Sequence, residues 1–479
     1  MRDEGLPAQT SRNGEHIRTG TCVGYGVGSI GTGMFSAVPG LLLLYFLTDT
    51  LGVAAGVAGV AVFVPKIWDM ITDPVMGTIS DRTVSRWGRR RPYLLAGAVT
   101  LPVFFALMFS VPDMGGSTFV FLYVTAMFLL AATAFTVFVV PYVSMPAEMT
   151  TDYHERTRIM SYRVAFMSVG ILAAGAAAPA IVELAGEGRG AYALMGVVLG
   201  VACGASMLTA FVATRRAAFK VKAEVQPPVR QQLRIAFRNR PFVVLVCSML
   251  IQLLGVATIL AAVPFYADYI LEGSGFTVTI MFVCLMLPAV IAMPGWLWVS
   301  KRIGKTRSFM VSVAVFGVCT PLLLVGGPDT RPIVYAIVVV MGLAYGGTQL
   351  FPFSMLPDTI ELDASRSGMR REGVFTGVLT ASEKVGMAAG ALVAGSVLDY
   401  FGFVESVAGE TVAQPDRALT GILVAFCIVP AIFFFLSLPV LSRYDLTEQR
   451  LRRLVAEGSE GQGSEALGHT GAESVAQES

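Results

Sequence analysis

The chain has 479 residues, 54% of them hydrophobic and only 14% charged, against about 25% charged in an average soluble protein. Its 35 Lys and Arg and 33 Asp and Glu leave a net charge of +2, which gives no reason to expect a nucleic-acid partner. Apolar runs near the length of a bilayer helix, about 20 residues, recur from Thr21 to Leu441. Soluble-enzyme, fibrous and disordered classes are therefore set aside for an all-α polytopic membrane protein.

The first twenty residues are polar and lack an apolar stretch behind a basic start, so no cleaved signal is expected. Twelve candidate spans follow, at 21–48, 53–80, 92–111, 118–144, 160–184, 190–213, 241–268, 275–298, 308–326, 332–356, 374–400 and 417–441. The longest polar connection, 214–240, lies between the sixth and seventh and carries Arg215, Arg216, Lys220, Lys222, Arg230, Arg234, Arg238 and Arg240 around Pro227-Pro228. A basic, proline-marked linker is the clearest boundary signal in the chain. The expected division is a segment 1–20, a six-helix half 21–213, the linker 214–240, a second six-helix half 241–441, and a tail 442–479. The tail's Gly, Ser and Glu content predicts disorder.

Lys and Arg gather in the loops after the even-numbered spans, and the opposite loops hold only Arg189, Arg331 and Arg417. The positive-inside bias then places both termini in the cytoplasm, and the protein in the plasma (inner) membrane as a monomer among lipids. The two halves also echo each other. Gly77 to Arg91 after span two is matched by Gly295 to Lys305 after span eight, where the second copy lacks Asp81. Pro146 precedes Asp152 by six residues after span four, and Pro357 precedes Asp363 by six after span ten. Such internal repeats are common in transporters, with the solute site between the halves near mid-membrane.

The six cysteines form no CxxC pair and read as small apolar residues. The three histidines, His16, His154 and His469, fall outside the spans, which excludes an intramembrane histidine relay. Other ionisable residues do fall inside them, at a cost of at least ~2.5–3.5 kcal/mol for a charge at mid-bilayer. Span two holds Lys66, Asp69 and Asp73, spaced to share one helix face. Pro74 frees the carbonyl of Met70 one turn back. Two carboxylates and a freed carbonyl suit a hard monovalent cation, with Thr133 and Thr136 of span four completing the shell. The competing interpretation is a structural pair in which Lys66 neutralises one aspartate. Span eleven holds Glu383 and Lys384; Lys384 is expected to face Asp69 or Asp73 across the halves, or to bind solute. Arg163 opens span five as either an anchor or a ligand. Tyr142 is a candidate for stacking on solute, against plain packing. The loop charges Asp81 with Arg82, Asp152 with Arg158, and Asp358 and Arg371 in the repeat loop, are expected to form ion pairs that latch the halves in one state.

Trp68-Asp69, Asp73-Pro74, Gly77, Asp81-Arg82-Thr83 and Ser85 through Pro92 resemble the second-span signature of the glycoside–pentoside–hexuronide:cation symporters, a family within the major facilitator superfamily that includes melibiose permease. Pro141-Tyr142 through Arg158, Pro357 through Gly373, and Lys384-Val385-Gly386 agree with it, and Tyr25-Gly26 and Tyr45 through Asp49 fit its first span. The resemblance covers residues 22–441. It implies the major facilitator fold, twelve transmembrane helices in two six-helix halves. It also implies a cation site at Asp69 and Asp73 assisted by Thr136, with Lys384 coupling cation and solute, Lys66 near that site and Arg163 at the cavity mouth. The sequence departs where melibiose permease holds its sugar: Gly33 and Val139 stand at two aspartate positions, and Val143 at a tryptophan.

The function expected is Na⁺- or H⁺-coupled symport of a small organic solute, a sugar or glycoside, by alternating access. No cofactor beyond the coupling cation is expected, and any metal at Asp69 and Asp73 is Na⁺ only. One alternative is a lysolipid or other amphiphile transporter on the same fold, which the missing carboxylates favour. A remote one is an intramembrane prenyltransferase using Asp69 and Asp73 for Mg²⁺-diphosphate, against which stand the twelve spans and the place of the only second aspartate motif, Asp358 to Asp363, in an ion-pair loop.

Overall fold

A computed structural model describes residues 17–150, 152–216, 234, 236–367, 371–407, 412–446, 450 and 453. The expected terminal segment up to residue 16, linker residues 217–233 and the tail beyond Arg453 lie outside the described residues.

Twelve long helices run through the described chain: α1 (Thr19–Tyr45), α2 (Ala55–Arg82), α3 (Arg91–Phe109), α4 (Ser117–Met149), α5 (Tyr153–Leu184), α6 (Gly188–Ala213), α7 (Arg240–Phe265), α8 (Gly275–Ile303), α9 (Lys305–Leu322), α10 (Arg331–Ser367), α11 (Glu372–Tyr400) and α12 (Asp416–Leu441). Eleven are long and apolar enough to cross a membrane by length and composition. The exception is α11, whose hydropathy is diluted by Glu383, Lys384 and small residues. It packs against α2 and α7, so protein rather than lipid covers those faces.

Several helices run past their apolar stretch on the side that carries the basic loops. The α4 helix reaches Met149, α5 starts at Tyr153, α8 reaches Ile303 and α10 reaches Ser367. Hydropathy stops at the first charges, but backbone hydrogen bonding does not. Asp152 caps the start of α5 by accepting from the Glu155 amide at 2.9 Å, a role short acidic side chains fill at helix N-termini.

The packing repeats. In the first half α1 contacts α5 and α6, α3 contacts α4 and α6, and α2 contacts α4. Six helices later α7 contacts α11 and α12, α9 contacts α10 and α12, and α8 contacts α10. The halves meet through α2 with α11, α5 with α8, and α1 with α7, a set that maps onto itself under the same shift of six. Matching π-helical turns, Phe46–Thr50 and Tyr266–Ile270, close α1 and α7. Gly88 and Gly304, in equivalent basic loops, both take positive φ, 89° and 87°.

Close crossings depend on absent side chains. A Cβ on Gly170 of α5 would stand 2.2 Å from the Ile30 carbonyl oxygen of α1, and one on Gly33 2.4 Å from the Met167 carbonyl oxygen. Gly390 of α11 makes the corresponding approach to Ala257 of α7, at 2.2 Å. Small residues let backbones approach where lipid offers no hydrophobic drive between helices.

The two ends of the molecule differ. On the side away from the basic loops, hydrogen bonds join the halves: Tyr45 donates to Asp268 at 2.7 Å, Tyr269 donates to Asp49, and Ser406 donates to the Asp49 carbonyl oxygen at 2.6 Å. The Gly275 amide at the start of α8 donates to Glu183 of α5 at 2.7 Å. On the basic side, a separate apolar cluster of α7, α10 and α11 (Phe242, Met249, Ile360, Phe375) belongs to the second half alone.

Gly170→Val is expected to lower the melting temperature of the purified protein, because the neighbour it strikes is backbone and overpacking costs about 1–3 kcal/mol. Gly377→Ala meets nothing within 4 Å and is expected to hold or raise it. Equal melting temperatures for the two variants would contradict the crossing described.

Candidate functional site

Proline-marked α2 brings its polar face to α4 and α11. Asp69 is buried at 4% exposure, and Asp73 one turn on is half-buried. Thr136 of α4, itself buried, lies between them, its hydroxyl 3.0 Å from Asp73 Oδ1 and 3.4 Å from Asp69 Oδ1. Thr72 places a second hydroxyl 3.4 Å from that of Thr136. Lys384 of α11 donates to Asp73 Oδ2, the one described ion pair that crosses between the halves. Asp69 has only the Thr136 hydroxyl; among the described residues no cation stands within ion-pair distance of it.

Two expectations about the surroundings change. Thr133 does not join the carboxylates: it accepts from the Trp68 indole at 3.0 Å and donates to the Leu129 carbonyl at 2.8 Å. Lys66 makes no described ion pair with either aspartate, though it stays within electrostatic reach of Asp69. Its ammonium rests 5.9 Å from the Phe35 ring centroid and 5.8 Å from that of Phe128, a cation–π seat that shelters the charge.

Tyr142 does not line an open cavity. It is fully buried, stacks on Tyr25 at 4.4 Å, donates to the Tyr25 carbonyl at 2.5 Å and bonds the Ser29 hydroxyl at 2.7 Å. With Tyr25 donating back to the Tyr142 carbonyl at 2.9 Å, the pair is a strut between α1 and α4. Arg163 stands near these rings, and its Nε is buried without a hydrogen-bond partner. Glu383 lies within electrostatic reach of Lys384 and of Arg163.

The sugar-clamp departures acquire a physical reading. Gly33 sits in the α1–α5 crossing, where the Met167 carbonyl leaves no room for a side chain. Val139 packs against the core, and Val143 is exposed.

The loop charges pair otherwise than expected. Asp81 meets Arg90 at 2.5 Å, not Arg82, which is exposed. Arg90 also meets Glu148 of α4 at 2.8 Å and donates to Ser80 at 2.5 Å; Arg89 reaches Glu148 at 2.8 Å. Arg158 pairs with Glu155 at 3.0 Å, while Asp152 serves as the α5 cap. Asp358 pairs with Lys305 at 2.7 Å, and Arg371 lies 3.7 Å from Asp363. Each of these pairs lies within one half. In this conformation they clamp the α2–α3 loop to α4 and the α8–α9 loop to α10 rather than latching the halves, because the partners nearest in sequence belong to the same bundle. Sequence reasoning passed over Glu148 and Arg90 as chemical groups, although both lie inside the motifs it singled out.

It also missed the opposite end, where Asp49, Glu183, Glu187 and Asp268 gather near Tyr45 and Tyr269. Burial first, then the neighbouring Glu183, Asp268 and Asp49 charges, push the carboxyl of Glu187 in the α5–α6 turn above its ordinary range. The available signal was an aspartate in the last turn of both α1 and α7.

A family model described as MFS/sugar transport protein matches residues 24–448. The chain belongs to this family. As an MFS transporter it is a multi-pass membrane protein and not an enzyme. It is 27% identical to the "Putative glycoside/cation symporter YagG" of Escherichia coli (strain K12), over 90% of this chain and 93% of the relative. It is 27% identical to the "Isoprimeverose transporter" of Lactiplantibacillus pentosus, over 84% and 83%. A crystal structure of nucleoside transporter NupG superposes with a TM-score of 0.60 at 14% identity, covering 88% of this chain and 99% of that one, and supports the major facilitator fold.

Proposed function

We propose that this MFS symporter carries a sugar or glycoside with Na⁺ or H⁺, and that Asp69 with Asp73 and Thr136 is the seat of the coupling cation. The observation that carries the reading is Asp69: a carboxylate at 4% exposure whose one described hydrogen bond comes from Thr136. Lys66 and Lys384 act on it only at a distance, and a buried charge is held only if paired or neutralised, so the position suits a proton or a cation. The donor set is oxygen alone.

Lys384 holds Asp73 in this conformation. Cation binding at the two carboxylates competes with that bridge and releases the Lys384 ammonium toward the solute. The same exchange couples the halves, since Lys384 rides on α11 and Asp73 on α2. Coupling of this kind is reciprocal: cation and solute raise each other's affinity by one factor. The relatives named as a glycoside/cation symporter and an isoprimeverose transporter favour a sugar over a lysolipid. With the basic loops in the cytoplasm, the hydrogen bonds joining the halves lie on the outer side, which makes this the inward-facing arrangement of an inner-membrane monomer.

In membrane vesicles, Asp69→Cys and Asp73→Cys are each expected to cut solute accumulation against a gradient at least tenfold while solute exchange persists. Undiminished accumulation in either variant would remove the cation site from these residues. Orientation has its own check. Val84 in the α2–α3 loop is 98% exposed and Leu184 at the end of α5 is 76% exposed. A membrane-impermeant thiol reagent should label Val84→Cys in inside-out vesicles and Leu184→Cys in right-side-out ones; the reverse pattern would invert the topology.

A further inference from the structure

The second half contains a polar niche that the cation site leaves unused. Gln252 of α7 is 4% exposed, and its amide Nε2 is buried with no hydrogen-bond partner. Thr348 and Gln349 of α10 and Glu383 of α11 line the same niche. Thr348 spends its hydroxyl on the Tyr345 carbonyl at 2.9 Å, whereas no described hydrogen bond engages the side chains of Gln349 or Glu383. The niche holds about 10 Å³ of free space, room for about one water or one hydroxyl group.

Its position relates it to the gap between the halves. Glu383 precedes Lys384, so the helix turns its side chain about 100° from the Asp73 bridge. There it stands within reach of the Arg163 charge of the first half, whose Nε is also a buried donor without a partner. Two unsatisfied donors from opposite halves thus flank one carboxylate. Buried polar groups without partners are rare in folded proteins, and an apolar side chain at Gln252 would fit its neighbours Met249 and Leu253 without that penalty.

We propose that Gln252, Gln349 and Glu383 are specificity-determining contacts for solute hydroxyl groups, with Arg163 facing them from the first half. The proposal rests on the reading of the chain as a symporter of a hydroxylated solute. A hydroxyl both donates and accepts, a carboxylate only accepts, and an amide nitrogen only donates. Glu383 beside Gln252 Nε2 therefore matches a hydroxyl bonded on both sides. A lipid chain offers partners to neither. Gly33 of α1 cannot supply such a contact, because α5 closes it off. One hydroxyl enters the niche, and the rest of the solute lies toward Arg163 and Lys384.

The test is solute counterflow in proteoliposomes containing the full chain, with methyl glucoside, methyl xyloside and methyl glucuronide as probes, and the monodeoxy analogues of whichever exchanges. Gln252→Leu is expected to raise the half-saturating concentration at least tenfold while the melting temperature holds or rises, since an unpaired amide has been removed. At one ring position, the deoxy penalty seen in the wild type should vanish in Gln252→Leu, the non-additivity expected of contacting groups. Glu383→Gln should weaken the same position. Wild-type exchange in Gln252→Leu, or deoxy penalties unchanged at every position, would overturn the niche and leave the symporter reading standing. A lowered melting temperature with the deoxy pattern intact would mark Gln252 as structural and likewise overturn it. If the wild type exchanges none of the glycosides, the niche and the hydroxylated-solute reading fall together.

Discussion

A charge at mid-bilayer costs at least ~2.5–3.5 kcal/mol, and α2 carries two carboxylates one turn apart in that region. The surrounding architecture can be understood as the answer to this cost. Asp73 is met by a lysine from the other half of the molecule, and a buried threonine of α4 bridges both carboxylates. Lys384 makes α11 the least lipid-compatible helix, and that helix is accordingly wrapped by α2 and α7. The pair is only half-buried, so solvent screens part of its attraction, but parting it still leaves two charges unpaired in a low-dielectric surrounding. A cation that takes the place of Lys384 on Asp73 therefore eases the opening of the bridge.

The two-fold repeat governs what can move. Each half has its own clamps on the basic side, Arg90 with Glu148 in the first and Lys305 with Asp358 in the second. Each is thereby stiffened as a unit. Contacts between halves concentrate at the far side, in the π-helical ends of α1 and α7, where Tyr45 with Asp268 and Tyr269 with Asp49 cross the interface. Rigid halves, a hydrogen-bonded far end and a single ionic bridge between α2 and α11 make a rocking element with two states.

Much of this was legible in the sequence, because it follows from helical period and hydropathy. The twelve helices lie where the apolar runs put them, Asp69 and Asp73 share a face as the i, i+4 spacing on α2 requires, and Thr136 of α4 meets them there. Lys384 meets Asp73 as its place in span eleven suggested. What failed was partner choice. Arg82 and Arg90 are equivalent in a sequence, but only Arg90 turns back over Ser80 toward Glu148. Tyr142 reads as a ring available for stacking, yet its hydroxyl is taken by Tyr25 and Ser29. Gly33 reads as a missing carboxylate, while the packing shows a position where no side chain fits. Gln252 gave no signal at all, since a lone glutamine in an apolar run declares its unpaired nitrogen only when its neighbours in space are known.

The central claim is that Asp69 is where the coupling cation is felt by the solute. The most direct measurement is solute affinity of the purified protein, titrated with Na⁺ at fixed pH and with acid in the absence of Na⁺, for the wild type and Asp69→Asn. The account predicts that wild-type affinity rises with one of the two cations, and that Asp69→Asn still binds solute with an affinity flat in both. A variant that keeps the full wild-type dependence would contradict it.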